Sequence, residues 1–300
     1  MSHHIDGGEQ RDYERRPGLP AVDHMTMPGP QLQSAGAALT FIIPSLEKPR
    51  VLMSMNHAEE NRRTGQYHSV PVAIYDARRS PEPPSLDREG FALVQHETSV
   101  VDFYDPASVE GIYYVEVIEL LKRATGATEV RVFDHTLRVE DEAKRRTHGT
   151  RLPVSVVHND YTERSGPQRV KDVLGSAEAG RLLANRWAMV NVWRSFGASA
   201  ERFPLAAADG RTVQPTNYVA VDLVYPDRIG EVYYNAHSTE QRWLYFPRMQ
   251  RNEVMLLKCF DSARDGRTRY TVHTGFANPH APAGEPPRES IELRAFLSFA

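Results

Sequence analysis

The chain has 300 residues and a mass of 33.9 kDa, the length of one large domain or two ordinary ones. Its 40% hydrophobic and 25% charged residues are those of an ordinary soluble globular protein, and 36 Lys+Arg against 39 Asp+Glu, a net charge of −3, leave no electrostatic case for a nucleic-acid partner. No apolar run approaches the ~18 residues of a membrane span, the start MSHHIDGGEQRDYERR has no apolar targeting core, and a lone cysteine, Cys259, excludes an internal disulfide and a cysteine-type zinc site. The expected location is the cytoplasm.

Residues 1–38, polar and broken by Gly and Pro, are expected to form a flexible N-terminal arm. LTFIIP from Leu39 reads as a strand, and residues 77–88, with three prolines, as a surface loop. A helix is expected over 107–124, where Val109, Ile112, Val115, Ile118 and Leu121 recur every third residue and Gly126 is placed to stop it. A second is expected over 168–186, carried by Val170, Val173, Leu174, Leu182 and Leu183. From about residue 130 the rest is strand: VRVFDHTLRV, LPVSVVHND, WAMVNVWRSF, NYVAVDLVY, GEVYYNAH, RWLYFPRM, EVMLLKCFDS, RYTVHTGFA and SIELRAFLSF. Nine such segments in about 170 residues predict a mainly β sandwich or barrel of jelly-roll type with the helices packed outside. With no repeat and no internal linker, residues 39–300 are expected to be a single domain with its jelly-roll core in about 130–300.

The strongest constellation is His158-Asn159-Asp160 with His273 lying 113 residues beyond Asp160. On a strand, residues two apart share a side, so His158 and Asp160 can converge on one ion while Asn159 faces away. His273, on another strand, supplies a third ligand. Two imidazoles and one carboxylate make the facial triad of a non-haem Fe(II) oxygenase, with positions left for co-substrate and O2. Fifteen residues further, Arg288 and Ser290 open the last strand. A guanidinium fork and a hydroxyl on the same face suit the far carboxylate of 2-oxoglutarate.

The strings HND, NVWR (191–194), PLAAAD (204–209), RWLYFPRM (242–249), EVMLLKCFDS (253–262), VHTGF (272–276) and RESIELR (288–294) resemble the AsaB-type hydroxylase/desaturase family, which groups a fungal gibberellin desaturase with proteins of cephamycin 7α-methoxylation and is related to the Fe(II)/2-oxoglutarate oxygenases. The resemblance covers residues 130–300 well and 39–130 loosely. It implies a cupin-like double-stranded β-helix, bound Fe(II), and oxidation of a small molecule in secondary metabolism by hydroxylation, desaturation or cyclisation. Two other readings remain open from the residues: a jelly-roll metalloenzyme with the same triad that does not use 2-oxoglutarate, and a non-catalytic small-molecule binding protein of that fold.

Other residues carry weaker expectations. Asn191 is a candidate donor to the 2-oxoglutarate carboxylate nearest iron, and Trp193, Tyr245 and Arg248 are candidates for the substrate pocket. His237 is a rival distal ligand, His280 a lid or solvated residue, and His135 a core or substrate contact. Loops 161–168 and 277–287 flank the triad as lid candidates. In the last strand Arg288, Ser290, Glu292 and Arg294 share a face, so parity cannot separate the two arginines. Ser290 favours Arg288, Glu292 can neutralise Arg294, and one strand end is expected to face the iron.

Overall fold

A computed structural model of the protein describes residues 34–54 and 61–300. The expected arm lies outside the described residues as far as residue 33; its last five residues already belong to the first strand, β1 (Ser34–Ile43). There Ala35, Ala37, Leu39 and Phe41 alternate inward, a period that the small alanines made faint in sequence. β2 (Arg50–Leu52), β3 (Arg62–Arg63), β4 (Gln66–Asp76) and β5 (Phe91–Gln95) follow. A helical segment runs through α1 (Pro106–Ser108), a π turn (Val109–Tyr113) and α2 (Tyr114–Thr125). Next come β6 (Glu129–Val139), α3 (Glu142–His148), β7 (His158–Asn159), α4 (Ser165–Leu174) and α5 (Ser176–Leu183). The remainder is β8 (Trp187–Ser195), β9 (Leu205–Ala208), β10 (Tyr218–Val224), β11 (Ile229–Asn235), β12 (Trp243–Tyr245), β13 (Glu253–Asp261), β14 (His273–Gly275) and β15 (Glu289–Ser298).

These strands form two sheets. The larger has the order β1-β4-β12-β9-β14-β7-β11-β10-β2-β3, the smaller β5-β13-β8-β15-β6. Strands distant in sequence interleave, as in a jelly roll: β8 lies between β13 and β15, and β14 between β9 and β7. The mainly β double-stranded β-helix is therefore the observed architecture. It draws β1, β4 and β5 into its sheets as well, so its strands begin well before residue 130.

β8 and β13 are buried along their whole length because both faces of the smaller sheet are covered. Ala188, Val190, Val192, Val254 and Leu256 pack outward with Val109, Tyr113, Val117, Leu120 and Leu121 of the helical segment. Trp193, Met255, Leu257 and Cys259 face the other way, onto Leu205, Ala207 and Leu244 of the larger sheet. The helix buries only part of the stripe its sequence suggested: Val109 and Leu121 are buried and Ile118 packs against the core, but Val115 is 59% and Ile112 38% exposed. Tyr113, Val117 and Leu120 take the buried positions between them, at the four- and three-residue steps that a 3.6-residue turn brings to one side.

Three further departures have local causes. Gly175, at φ +73°, breaks the expected 168–186 helix into α4 and α5. LPVSVVHND contributes only His158 and Asn159 to a strand, since its backbone bonds are divided among three: Val157 N–H to Thr40, Asn235 N–H to Val157 and Gly275 N–H to Val154. PLAAAD, in contrast, contains a full strand, β9, with Leu205 and Ala207 on the inter-sheet core and Ala206 and Ala208 on the opposite core. Among the described residues no helix is long and apolar enough to cross a membrane.

Candidate active site

β7 and β14 are neighbours in the larger sheet, and their register sets His273 directly opposite His158, with ring centroids 4.6 Å apart. Asp160, two residues past His158, completes a group in which one ligand atom from each residue lies within 4.8 Å of the others. Among the described residues it is the one cluster of this kind. Each imidazole is fixed alike: Nδ1 of His158 donates to the Val156 carbonyl at 2.8 Å, and Nδ1 of His273 to that of Thr271 at 2.9 Å. A carbonyl only accepts, so the proton sits on Nδ1 and the Nε2 lone pair stays free. Nε2 of His158 lies 3.5 Å from Oδ1 of Asp160.

The second carboxylate oxygen is occupied. Oδ2 of Asp160 accepts from Nδ2 of Asn191 at 2.7 Å and from Nε of Arg294 at 3.1 Å. Burial alone would raise the Asp160 carboxyl; Arg294 and the two imidazoles outweigh it and hold the group below the ordinary carboxylate range. Burial, with His273 beside it, pulls His158 down to about 3, so this ring is neutral at pH 7. Two bare imidazole nitrogens and one anionic oxygen on one side of a point are the donor set that suits Fe(II) with open positions. The residues present fit that ion.

Arg288 is 2% exposed, and its guanidinium is 5.0 Å from the ring centre of Trp193. Its Nε donates to Ser290 Oγ at 3.0 Å and its Nη1 to the Phe203 carbonyl at 3.0 Å. Among the described residues it has no carboxylate within ion-pair distance. Burial, reinforced by the charge of Arg138, draws it down to about 9. A buried cation lacking a counter-ion is costly, and an incoming carboxylate removes that cost. Arg294 is the opposite case: Asp160, Asp134, Thr136 and Glu292 take its donors.

A family model described as "YDMC: Oxidoreductase/YMDC permease-like domain" matches residues 39–298. The hydroxylase/desaturase efuI of Hormonema carpetanum is 33% identical over 82% of this chain and 89% of its own length. CTB9 of Cercospora beticola, also a hydroxylase/desaturase, is 34% identical over 77% of each. Among solved structures, the iron and alpha-ketoglutarate-dependent endoperoxidase NvfI superposes with a TM-score of 0.79 at 28% identity, covering 88% of this chain and 98% of that one. The chain belongs to the hydroxylase/desaturase family. It is an Fe(II)/2-oxoglutarate-dependent oxygenase that uses O2 to oxidise a small molecule.

The fold of this oxygenase sorts the remaining candidates. Asn191 spends an amide hydrogen on Asp160 rather than standing free for a co-substrate. Trp193 lies inside the barrel beneath Arg288, but Tyr245 falls on the opposite face of its sheet, edge-on to Phe276, because β12 alternates and Leu244 takes the inner position. Arg248 is exposed in the turn after β12, at φ 50°, and its backbone N–H is held by Glu201. Neither Tyr245 nor Arg248 lines the cavity beside the triad. His237 sits apart from that cluster with Phe41 and His68, His280 is exposed, and His135 bonds Tyr114 Oη at 2.8 Å. Of the two lid candidates, Tyr161, Arg164, Ser165 and Gln168 line the cavity, whereas no residue of 277–287 does.

Sequence reading missed the wall of β6. Asp134, Thr136 and Arg138 stand directly opposite Arg294, Glu292 and Ser290 of β15 and line a cavity of about 640 Å³ shared with His158 and Asp160. The signal was present. In VRVFDHTLRV, polar residues at 134, 136 and 138 alternate on a strand whose neighbour does the same.

Proposed function

We propose that His158, Asp160 and His273 hold Fe(II) and that Arg288 and Ser290 hold the far carboxylate of 2-oxoglutarate. The organic substrate enters through the cavity beside β6 and is hydroxylated, desaturated or cyclised in secondary metabolism. The observation that carries this reading is the convergence of three ligand atoms within 4.8 Å, with both Nδ1 atoms and Oδ2 of Asp160 already engaged. Those outer contacts leave Nε2, Nε2 and Oδ1 as the free donors, and they orient ligands as outer partners do in metal sites. The chemistry supplied by bound Fe(II) is oxidation of a substrate C–H bond by O2, coupled to conversion of 2-oxoglutarate into succinate and CO2. The chain's part is to keep both Nε2 atoms unprotonated, present an unpaired cation for the co-substrate, and hold the reacting bond near the metal. A cytoplasmic location is supported by a single, free and buried cysteine.

The test is anaerobic addition of Fe(II) and 2-oxoglutarate, read by the weak visible charge-transfer band of the chelate, followed by succinate formation in air. Wild type should show both. His158→Ala, Asp160→Ala and His273→Ala should show neither, while His237→Ala and His280→Ala keep the band. Loss of iron in His237→Ala with retention in His273→Ala would sink the assignment.

A further inference from the structure

The cavity beside the triad has a charge opposite to that of the whole chain. Seven arginines line it against four carboxylates. Three of those arginines are matched: Arg164 to Glu231 at 2.9 Å, Arg169 to Asp134 at 3.1 Å, and Arg294 to Asp134 and Asp160 at 3.1 Å. Of the other four, Arg63 and Arg228 are exposed, the latter over the Tyr225 ring, while Arg138 and Arg151 are part-buried. Among the described residues neither has a carboxylate within ion-pair distance, and the one side-chain bond of Arg138 runs from Nη1 to the Leu152 carbonyl at 2.9 Å.

The two arginines meet through the backbone, where Arg138 and Arg151 form an isolated parallel bridge. Both are part-buried and face the cavity with His158 and Asp160. Burial and the charges of Arg294 and Arg151 hold Arg138 below the ordinary guanidinium value, against the pull of Glu292 and Asp160. Around them Leu152, Val154, Val232 and Tyr234 give the cavity apolar walls. Its volume of about 640 Å³ suits a ligand larger than a co-substrate fragment. Arg288, across Ser290 from Arg138, does not line this cavity.

We propose that Arg138 and Arg151 bind the carboxylate of the organic substrate, which is therefore an amphipathic acid. Its apolar body lies along Leu152, Val154, Val232 and Tyr234. A guanidinium pair grips a carboxylate by charge-assisted bonds that an ester cannot replace. This inference rests on the reading of the triad as the reacting centre, but the anion site can be probed apart from the chemistry.

The experiment uses the full chain with Fe(II) and saturating 2-oxoglutarate under anaerobic conditions. Decanoate and 4-phenylbutyrate are titrated against their methyl esters by calorimetry while the charge-transfer band is followed. Each acid should bind at least tenfold more tightly than its ester and leave the band in place. Arg138→Gln should weaken acid binding at least tenfold and Arg151→Gln by less, with iron and 2-oxoglutarate affinities within threefold of wild type. Arg138→Lys should recover part of the loss. Equal binding of acid and ester, no binding of either acid, or displacement of 2-oxoglutarate by the acids would overturn the proposal. Failure of the band to form in wild type would instead count against the triad and clamp assignment, since calorimetry still reads the arginine pair.

Discussion

Nε of Arg294 lies 3.1 Å from Oδ2 of Asp160, joining the fourth strand of the smaller sheet to the acidic member of the triad in the larger one. Of the two arginines that parity could not separate, it is Arg294 that touches the triad. Arg294 lies in the middle of β15, whereas Arg288 stands just before its first residue and makes no contact with Asp160 among the hydrogen bonds of its guanidinium, which run to Ser290 and Phe203. Glu292 does pair with Arg294, as the sequence suggested, and Asp134 and Asp160 join it.

Arg294→Gln removes the charge that most strongly favours ionised Asp160 and leaves Oδ2 to Asn191 alone. Outer partners of metal ligands are worth about 10- to 100-fold in metal affinity. We expect anaerobic Fe(II) titration to show a loss of that size in Arg294→Gln and a smaller one in Asn191→Ala. Unchanged iron affinity in both variants would mean that Asp160 is held by other means.

Arg288→Gln tests the clamp. Losing one partner of a buried charge-assisted pair costs roughly 2–5 kcal/mol, which is about 30-fold to several-thousand-fold in affinity. The 2-oxoglutarate requirement should rise on that scale with iron binding intact, and Ser290→Ala should follow in the same direction by less. An unchanged requirement in Arg288→Gln, with the loss appearing only in Arg294→Gln, would move the role to Arg294.

A pH dependence of stability arises outside the triad, at His96. Nη2 of the fully buried Arg194 points at Nδ1 of His96, and the same atom donates to the His96 carbonyl at 3.0 Å. Burial first, and Arg194 second, hold His96 below its ordinary value of 6.5. The unfolded chain therefore takes up this proton at higher pH than the native one, and stability is lost as pH falls below about 6.5. The slope from this one group is at most about 1.4 kcal/mol per pH unit. Urea unfolding at pH 8 and pH 5 should show the loss, and His96→Gln should flatten it. An identical slope in His96→Gln would assign the effect elsewhere.

Strand periodicity and the facial-triad spacing were legible because they are local or pairwise facts: His158 and Asp160 share a face by parity, and VHTGF marks its own strand. What hid from the sequence depended on neighbours. α3 buries no residue, so it has no apolar stripe; its local marks are Asp141, whose side chain caps Lys144 N–H at 2.8 Å, and Gly149, which closes it at φ 61°. β4 contains Pro71, which reads as a break; it is tolerated where the strand pairs with β1 alone, since β12 joins only at residues 74–76. The cationic wall of Arg138 and Arg151 exists only after β6 is laid beside β15.

Gly275 gives the last test, because it separates the clamp from the metal along a single strand. It follows His273 by two residues and shares its face of β14. A methyl group there would overlap the ring of Phe203 and stand 3.2 Å from Nη1 of Arg288. The backbone carbonyl of Phe203 accepts that same Nη1 at 3.0 Å, so the crowded residue is also a partner of the guanidinium. Gly275→Ala should therefore displace the guanidinium rather than the imidazole of His273, whose Nδ1 is tied to Thr271 on the other side. Overpacking of this kind costs about 1–3 kcal/mol. We expect 2-oxoglutarate affinity to fall at least tenfold while Fe(II) affinity stays within threefold. Phe203→Leu in the same chain should restore part of the loss, because it removes the ring and keeps the carbonyl. If Gly275→Ala instead releases iron and leaves 2-oxoglutarate affinity alone, the co-substrate carboxylate does not lie at Arg288.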